Sequence, residues 1–215
     1  MPNPKLIIDY LLDGEQRGYA FTTPTNHLDP RTVKTLWRQA MPRGQGWGAY
    51  NDARSLKVIP LENGRIAVSE VTVTDRRDEL GRQGLRRAEI TLLNSHEYDT
   101  FLRERWQATP ADVRTAADRK AGFRLWKRLA DMAIPRMRGE PQLILAYPYA
   151  NTTQWRVIEA LMLKLMLTPT LRFVRGLGFT TLALDHREES PVVALPLDKA
   201  RLVKPGKGVA VIDLS

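Results

Sequence analysis

The chain has 215 residues, 43% of them apolar, enough to bury a sizeable core in one large domain or in two small ones that share an interface. Its 33 basic and 24 acidic residues leave a net charge of +9, which suits an acidic partner: nucleic acid, an anionic membrane surface or an acidic protein face. Cysteine is absent, which excludes disulfides, thiolate catalysis and cysteine-rich zinc sites; the start Met1-Pro2-Asn3-Pro4-Lys5 lacks the pattern of a secretory signal, so a cytoplasmic protein is expected.

Lys5 to Leu12 reads as a buried strand, and Tyr19 to Thr23 as its hairpin partner across the turn Asp13 to Gly18. Asp29 followed by Pro30 predicts the N-cap and first-turn proline of an amphipathic helix, with Val33, Leu36, Trp37 and Ala40 on its apolar face. Pro42 to Tyr50 is glycine-rich. It lacks the Gly-Lys-Ser/Thr ending of a P-loop and the strand-before, helix-after context of a dinucleotide fingerprint, so it reads as a mobile loop that offers an exposed Trp47 or Tyr50, with Arg43, to a partner.

Ser55 to Leu61 and Arg65 to Thr74 form a hairpin around Asn63-Gly64, a pair that tolerates the left-handed backbone of tight turns. The charged connection Asp75 to Gly84, which holds Arg82, leads to a strand from Leu85 to Leu93 where Ala88, Ile90 and Leu92 alternate with Arg87, Glu89 and Thr91. Ser95 reads as the cap of a helix that carries Tyr98, Phe101, Leu102 and Trp106 on one face. Thr109-Pro110-Ala111-Asp112 reads as a second capping sequence, opening a helix to Ile134. Its inner stripe includes Val113, Ala117, Phe123 and Trp126; Arg114, Arg119, Lys120, Arg124, Lys127 and Arg128 lie outside, with Arg114 and Asp118 spaced to pair.

Two prolines and a glycine from Pro135 to Pro141 divide the chain into residues 1–134 and 142–215. A strand from Gln142 follows, then an oily helix from Gln154 to Leu167. Only Arg156, Glu159 and Lys164 are charged on that helix, in one narrow arc, so almost its whole circumference needs cover. The three charges also interrupt the run before the roughly 20 apolar residues of a membrane span. A short helix capped by Thr168-Pro169 and strands at Phe179 to Leu184, Val192 to Leu197 and Gly208 to Leu214 complete an α+β chain. Burying the Trp155 helix on both sides requires strands on one side and the Phe123/Trp126 helix on the other. Residues 135–141 are then a connector inside one packed unit.

The first half reads strand, strand, helix, strand, strand, strand, helix, helix. That order resembles the longin and roadblock scaffolds, many of which are platforms for small GTPases or dimerisation modules, and it implies a longin-like antiparallel sheet with flanking helices, followed by a smaller α/β half. The pieces Leu11-Leu12-Asp13-Gly14-Glu15-Gln16-Arg17-Gly18-Tyr19, Gly81-Arg82-Gln83-Gly84, Gly178-Phe179-Thr180-Thr181 and Gly208-Val209-Ala210-Val211-Ile212-Asp213-Leu214 resemble the N-terminal region of the bacterial GTPase-associated protein 1 family. One departure is Ala88-Glu89-Ile90, in a strand where that pattern leads one to expect a histidine. The resemblance implies a non-catalytic adaptor in a bacterial signalling or conflict system and supplies no active residues.

The residues point the same way. His27, His96 and His186 sit in unrelated turns without metal-ligand spacing, no Gly-x-Ser-x-Gly elbow occurs, and the adjacent acids Asp78/Glu79 and Glu188/Glu189 read as solvated loop residues. No cofactor or metal site is expected. The favoured reading is an adaptor that meets a partner protein, a GTPase, through Arg43, Trp47, Tyr50, Arg82, Arg124, Lys127 and Arg128. The alternative is a nucleic-acid-binding module that uses the basic 103–138 region. The third is an enzyme of unknown reaction.

Overall fold

Alternating apolar and polar residues build an antiparallel half. β3 (Arg54–Pro60) and β4 (Ile66–Val73) close around Asn63-Gly64 as expected: Gly64 takes φ +76°, and the Asn63 side chain accepts the Arg65 N–H at 3.1 Å. β4 pairs with β5 (Arg86–Leu93), β5 with β1 (Leu6–Leu11), and β1 with β2 (Gly18–Phe21), all antiparallel. The structure, a computed structural model, describes residues 5–11, 18–50, 53–78, 80–121, 125, 127, 142–148, 152–168, 178–185, 187–204 and 209–214.

In the other half β6 (Gln142–Tyr147) lies parallel between β8 (Val192–Pro196) and β9 (Val209–Asp213). Its near-continuous apolar run fits a strand covered on both faces. The two-residue β7 (Phe179–Thr180) runs parallel to β8 and antiparallel to β3, so the nine strands among the described residues form one sheet in the order β2-β1-β5-β4-β3-β7-β8-β6-β9. The chain is therefore mixed α and β. Beyond Thr180, side chains extend the short pairing: the Thr181 hydroxyl accepts the Leu56 N–H at 2.8 Å, and Ser55 Oγ donates to the Leu182 carbonyl at 2.8 Å. Gly178 lets the strands approach, because a Cβ there would meet the Val58 carbonyl at 2.8 Å.

α1 (Pro30–Gln39) covers one face of the antiparallel half. Asp29 caps it as expected, accepting the Thr32 N–H at 2.9 Å and the Thr32 hydroxyl at 2.6 Å. Leu36 and Ala40 sink among Leu6, Ile8, Ala67, Val71 and Ile90. Trp37 does not join them; it is 49% exposed and its ring leans on Phe21.

α2 (Ser95–Ala108), α3 (Ala111–Lys120) and α4 (Thr152–Leu167) share the opposite face. The cap of α2 is Asn94, one residue before the expected Ser95, and it forms a reciprocal capping box with Glu97. The cap expected of Thr109 is not made: α3 follows Pro110 without a side-chain cap, and the Thr109 hydroxyl turns back to the Arg105 carbonyl at 2.9 Å. α3 stops at Lys120; of the helix expected to continue to Ile134, only Ala121, Leu125 and Lys127 are described beyond that point. α4 packs on Leu143, Leu145, Val192 and Ala194 of the sheet, with Tyr98, Leu102, Val113 and Ala117 of α2 and α3 completing the same core. The Phe123 and Trp126 side chains expected there, the connector 135–141 and the short helix after Thr168 lie outside the described residues. The charges on α4 do not all face water, since Glu159 is buried. A single helical turn, α5 (Leu197–Ala200), packs against the other face of the parallel half. Among the described residues no helix is long and apolar enough to cross a membrane.

Candidate partner-binding surface

The 42–50 segment is packed, not an open loop with a displayed aromatic ring. Trp47–Tyr50 forms a 3-10 turn; Trp47 is 4% exposed, and its indole N–H donates to the Gly44 carbonyl at 3.1 Å. An apolar ring near the sheet gains more from the core than from water, which a glycine-rich local pattern does not reveal. Arg86 clamps the segment. Its guanidinium lies over the Trp47 ring at 5.0 Å and over Tyr19 at 5.5 Å, and it hydrogen-bonds the Pro42 carbonyl. Gly84 brings the 81–84 turn against this segment: it takes φ +88°, and a Cβ there would come within 2.4 Å of the Gly48 nitrogen. At the other end the Leu184 N–H donates to the Arg43 carbonyl at 3.0 Å. Tyr50 is half-buried, and that burial, with the charge of Asp198, pushes its phenol up from the usual value.

Beneath this segment lies a polar seam. The Lys57 ammonium and Glu188 carboxylate form an ion pair whose side chains are 2% and 0% exposed. Glu188 also accepts the Arg43 N–H at 2.7 Å and the Glu189 N–H at 3.1 Å, while Gln142 Nε2 donates to its backbone carbonyl at 2.7 Å. Thr180 and Ser190 hydroxyls meet at 2.6 Å beside it. Burial pulls the Lys57 ammonium below the usual lysine value, against the opposing pull of Glu188. Glu188 thus corrects the reading of adjacent acids as solvated; Asp78 is also buried, holding the 78–82 turn through the Leu80 and Arg82 N–H groups. Glu189 reaches outward to Arg43, Arg38 and Gln39, joining α1 to the parallel half.

Among the residues predicted to meet a partner, Arg43 is exposed but its guanidinium is engaged by Glu189, and exposed Arg82 is held by Asp78 at 2.6 Å. Lys127 is exposed; Arg124 and Arg128 lie outside the described residues. Several of the described cations on this side are internally committed. Arg105 bridges Glu159 at 2.7 Å and Glu70 at 3.2 Å, Lys120 donates to the Leu214 carbonyl, and Lys164 pairs with Asp118 at 3.1 Å. Arg114, expected beside Asp118, instead lies over the Trp106 ring at 6.0 Å. Arg103 and Arg119 remain exposed on this side.

Two residues that matter at the surface and seam escape sequence spacing, which places Trp37 on the apolar face of its helix, where it is 49% exposed, and gives Lys57 no role. Trp37 stands about 100° around the helix from Leu36, at the margin of the apolar face, which is a legible sign that it could turn outward. Lys57 alternates with Leu56 and Val58 in a strand, and no local signal announces a buried partner 131 residues away. Among the described residues no group of three acidic or histidine side chains is placed to hold a metal ion. Comparison with protein-family models, curated proteins and solved structures finds no match for the chain.

Proposed function

We propose that the chain is a non-catalytic adaptor with a longin-like N-terminal half, acting in the cytoplasm of a bacterial signalling or defence system and binding a GTPase. The observation that supports this reading is the strand order β2-β1-β5-β4-β3, all antiparallel, with α1 on one face and α2 and α3 on the other. The contact surface is the exposed side of α1 around Trp37 and Phe21, where Arg38 follows Trp37 in the chain. An exposed tryptophan flanked by arginine is the kind of anchor that dominates protein interfaces.

The test is affinity isolation of the tagged full chain from its native host, with the retained proteins identified and nucleotide added to the wash. A GTPase released or retained according to nucleotide, and lost with Trp37→Ala, is the expected result. Recovery of nucleic acid without a protein, with affinity falling steeply as salt rises and abolished by reversing exposed Lys127, would overturn it in favour of the nucleic-acid module.

A further inference from the structure

On the face opposite α1, a cleft of about 360 Å³ opens where the start of β3 meets the α2–α3 corner and the first turns of α4. Three guanidinium groups line it, one from each element: Arg54, Arg105 and Arg156. They are not equivalent. Arg105 is spent on Glu159 and Glu70, and although burial works against its charge, those two carboxylates raise its pKa above the usual arginine value. Arg54 and Arg156 are exposed and have no acidic partner among the described residues. Arg156 lies over the Trp155 ring at 5.6 Å, which keeps its guanidinium beside the cleft.

Two kinds of unsatisfied donor accompany these cations. Trp155, 6% exposed and part of the cleft wall, has a buried indole N–H without a hydrogen-bond partner among the described residues. An orphaned buried donor costs stability, so its retention calls for an explanation. The second is the first turn of α3, whose N–H groups have no side-chain cap because Thr109 points back to α2 and Pro110, itself in the cleft wall, has no hydroxyl to offer. A ten-residue helix that starts without a side-chain cap, beside two arginines that have no acidic partner among the described residues, presents the positive end of its dipole to whatever enters.

The charges select the ligand. With Arg105 held by Glu159 and Glu70, the cleft keeps two guanidinium groups without an acidic partner among the described residues, Arg54 and Arg156, and a phosphate group of about −1.5 to −2 at neutral pH offers charge and oxygens to both where a monocarboxylate offers a single charge. Guanidinium groups match the paired oxygens of phosphate better than lysines would. The volume falls within the range of small-molecule sites, and Ala108 and Pro110 offer an apolar wall for a ligand body. We propose that this cleft binds a phosphate dianion, free or as the end group of a small molecule, with Arg54 and Arg156 as its ion-pairing residues and Trp155 in its wall. The site lies apart from the α1 surface and does not depend on the adaptor reading.

Calorimetric titration of the full chain with inorganic phosphate, with AMP and with acetate tests this directly. One-to-one binding of phosphate or AMP is expected, with acetate at least about tenfold weaker and with Arg54→Ala and Arg156→Ala each lowering affinity about tenfold. Arg31→Ala, an exposed arginine on α1, serves as the control and leaves affinity unchanged. AMP binding more tightly than inorganic phosphate identifies an end group; equal or weaker binding identifies the free anion. A second readout is the indole N–H resonance that disappears in Trp155→Phe, which moves on addition of phosphate in the parent chain. Acetate binding as tightly as phosphate, full affinity in both arginine variants, equal loss in Arg31→Ala, or an unmoved Trp155 resonance would each overturn the proposal.

Discussion

Replacing Lys57 with methionine removes one charge from an ion pair closed to water while keeping the length and apolar bulk of the side chain. Glu188 is then left with its carboxylate buried and, among the described residues, the Arg43 and Glu189 N–H groups as donors. Removing one partner of such a pair costs about 3–5 kcal/mol, a large fraction of the roughly 5–15 kcal/mol that holds a domain folded. In urea, with a slope of about 1–3 kcal/mol per molar, the unfolding midpoint falls by more than about 1 M. The double variant Lys57→Met/Glu188→Gln has no buried charge, and its amide oxygen still accepts one of the two N–H groups, so most of the loss returns. In the parent chain Lys57 is itself depressed, so the unfolded chain binds more protons and stability climbs with pH from the depressed folded value to the ordinary lysine value. Equal midpoints for the single and double variants, or a single-variant loss below about 1 kcal/mol, would refute a sealed pair.

Gly44→Ala and Gly46→Ala form a matched contrast, since both glycines have positive φ but only at Gly44 would a Cβ strike Leu184, at 2.5 Å. Gly46→Ala is expected to cost about 1–2 kcal/mol for the backbone alone, and Gly44→Ala at least about twice that; equal midpoints in urea would show that the loop can retreat from Leu184. Leu161 is wholly buried on α4, so Leu161→Ala should cost about 2–5 kcal/mol by chemical denaturation, and a loss under about 1 kcal/mol would mean that the helix is not enclosed. Among the described residues two carboxyls lie below their ordinary value of 3.8: Asp29, through the hydroxyl and N–H of Thr32, and Asp78, where burial pulls upward but the hydrogen bonds and charge of Arg82 and the Leu80 N–H prevail. Stability from both is present above that ordinary value and drains away as pH falls through the depressed folded ones. Acid titration of stability should therefore be shallower for Asp78→Asn than for the parent, and parallel curves would contradict this assignment.

The sequence carried the local chemistry well where one backbone feature decides the outcome. Asp29-Pro30 starts a helix, Asn63-Gly64 turns a hairpin, and the Ala88, Ile90, Leu92 alternation lays one face of β5 on the core. Prediction failed where a side chain chooses between neighbours that are distant in sequence. Thr109 had a helix start to cap and took the Arg105 carbonyl instead; Trp47 had a loop to decorate and took the core; Asp118 had Arg114 one turn away and took Lys164. The cleft was invisible for the same reason. Arg54, Arg105 and Arg156 belong to three elements, and only the packing of α4 between the sheet and the α2–α3 corner brings them to one opening.

The nine strands share one hydrogen-bonded surface, yet the antiparallel and parallel halves meet through β7, which is two residues long. Mechanically this is a narrow weld between two broad plates, reinforced on one side by the Lys57–Glu188 pair and across the top by the 42–50 segment. A force applied to either plate concentrates on that line. The Leu56 and Thr181 amides that bridge it should therefore report the relative motion of the two halves, and amide exchange at those positions, compared with the centre of β4, would measure how firmly the protein behaves as one body.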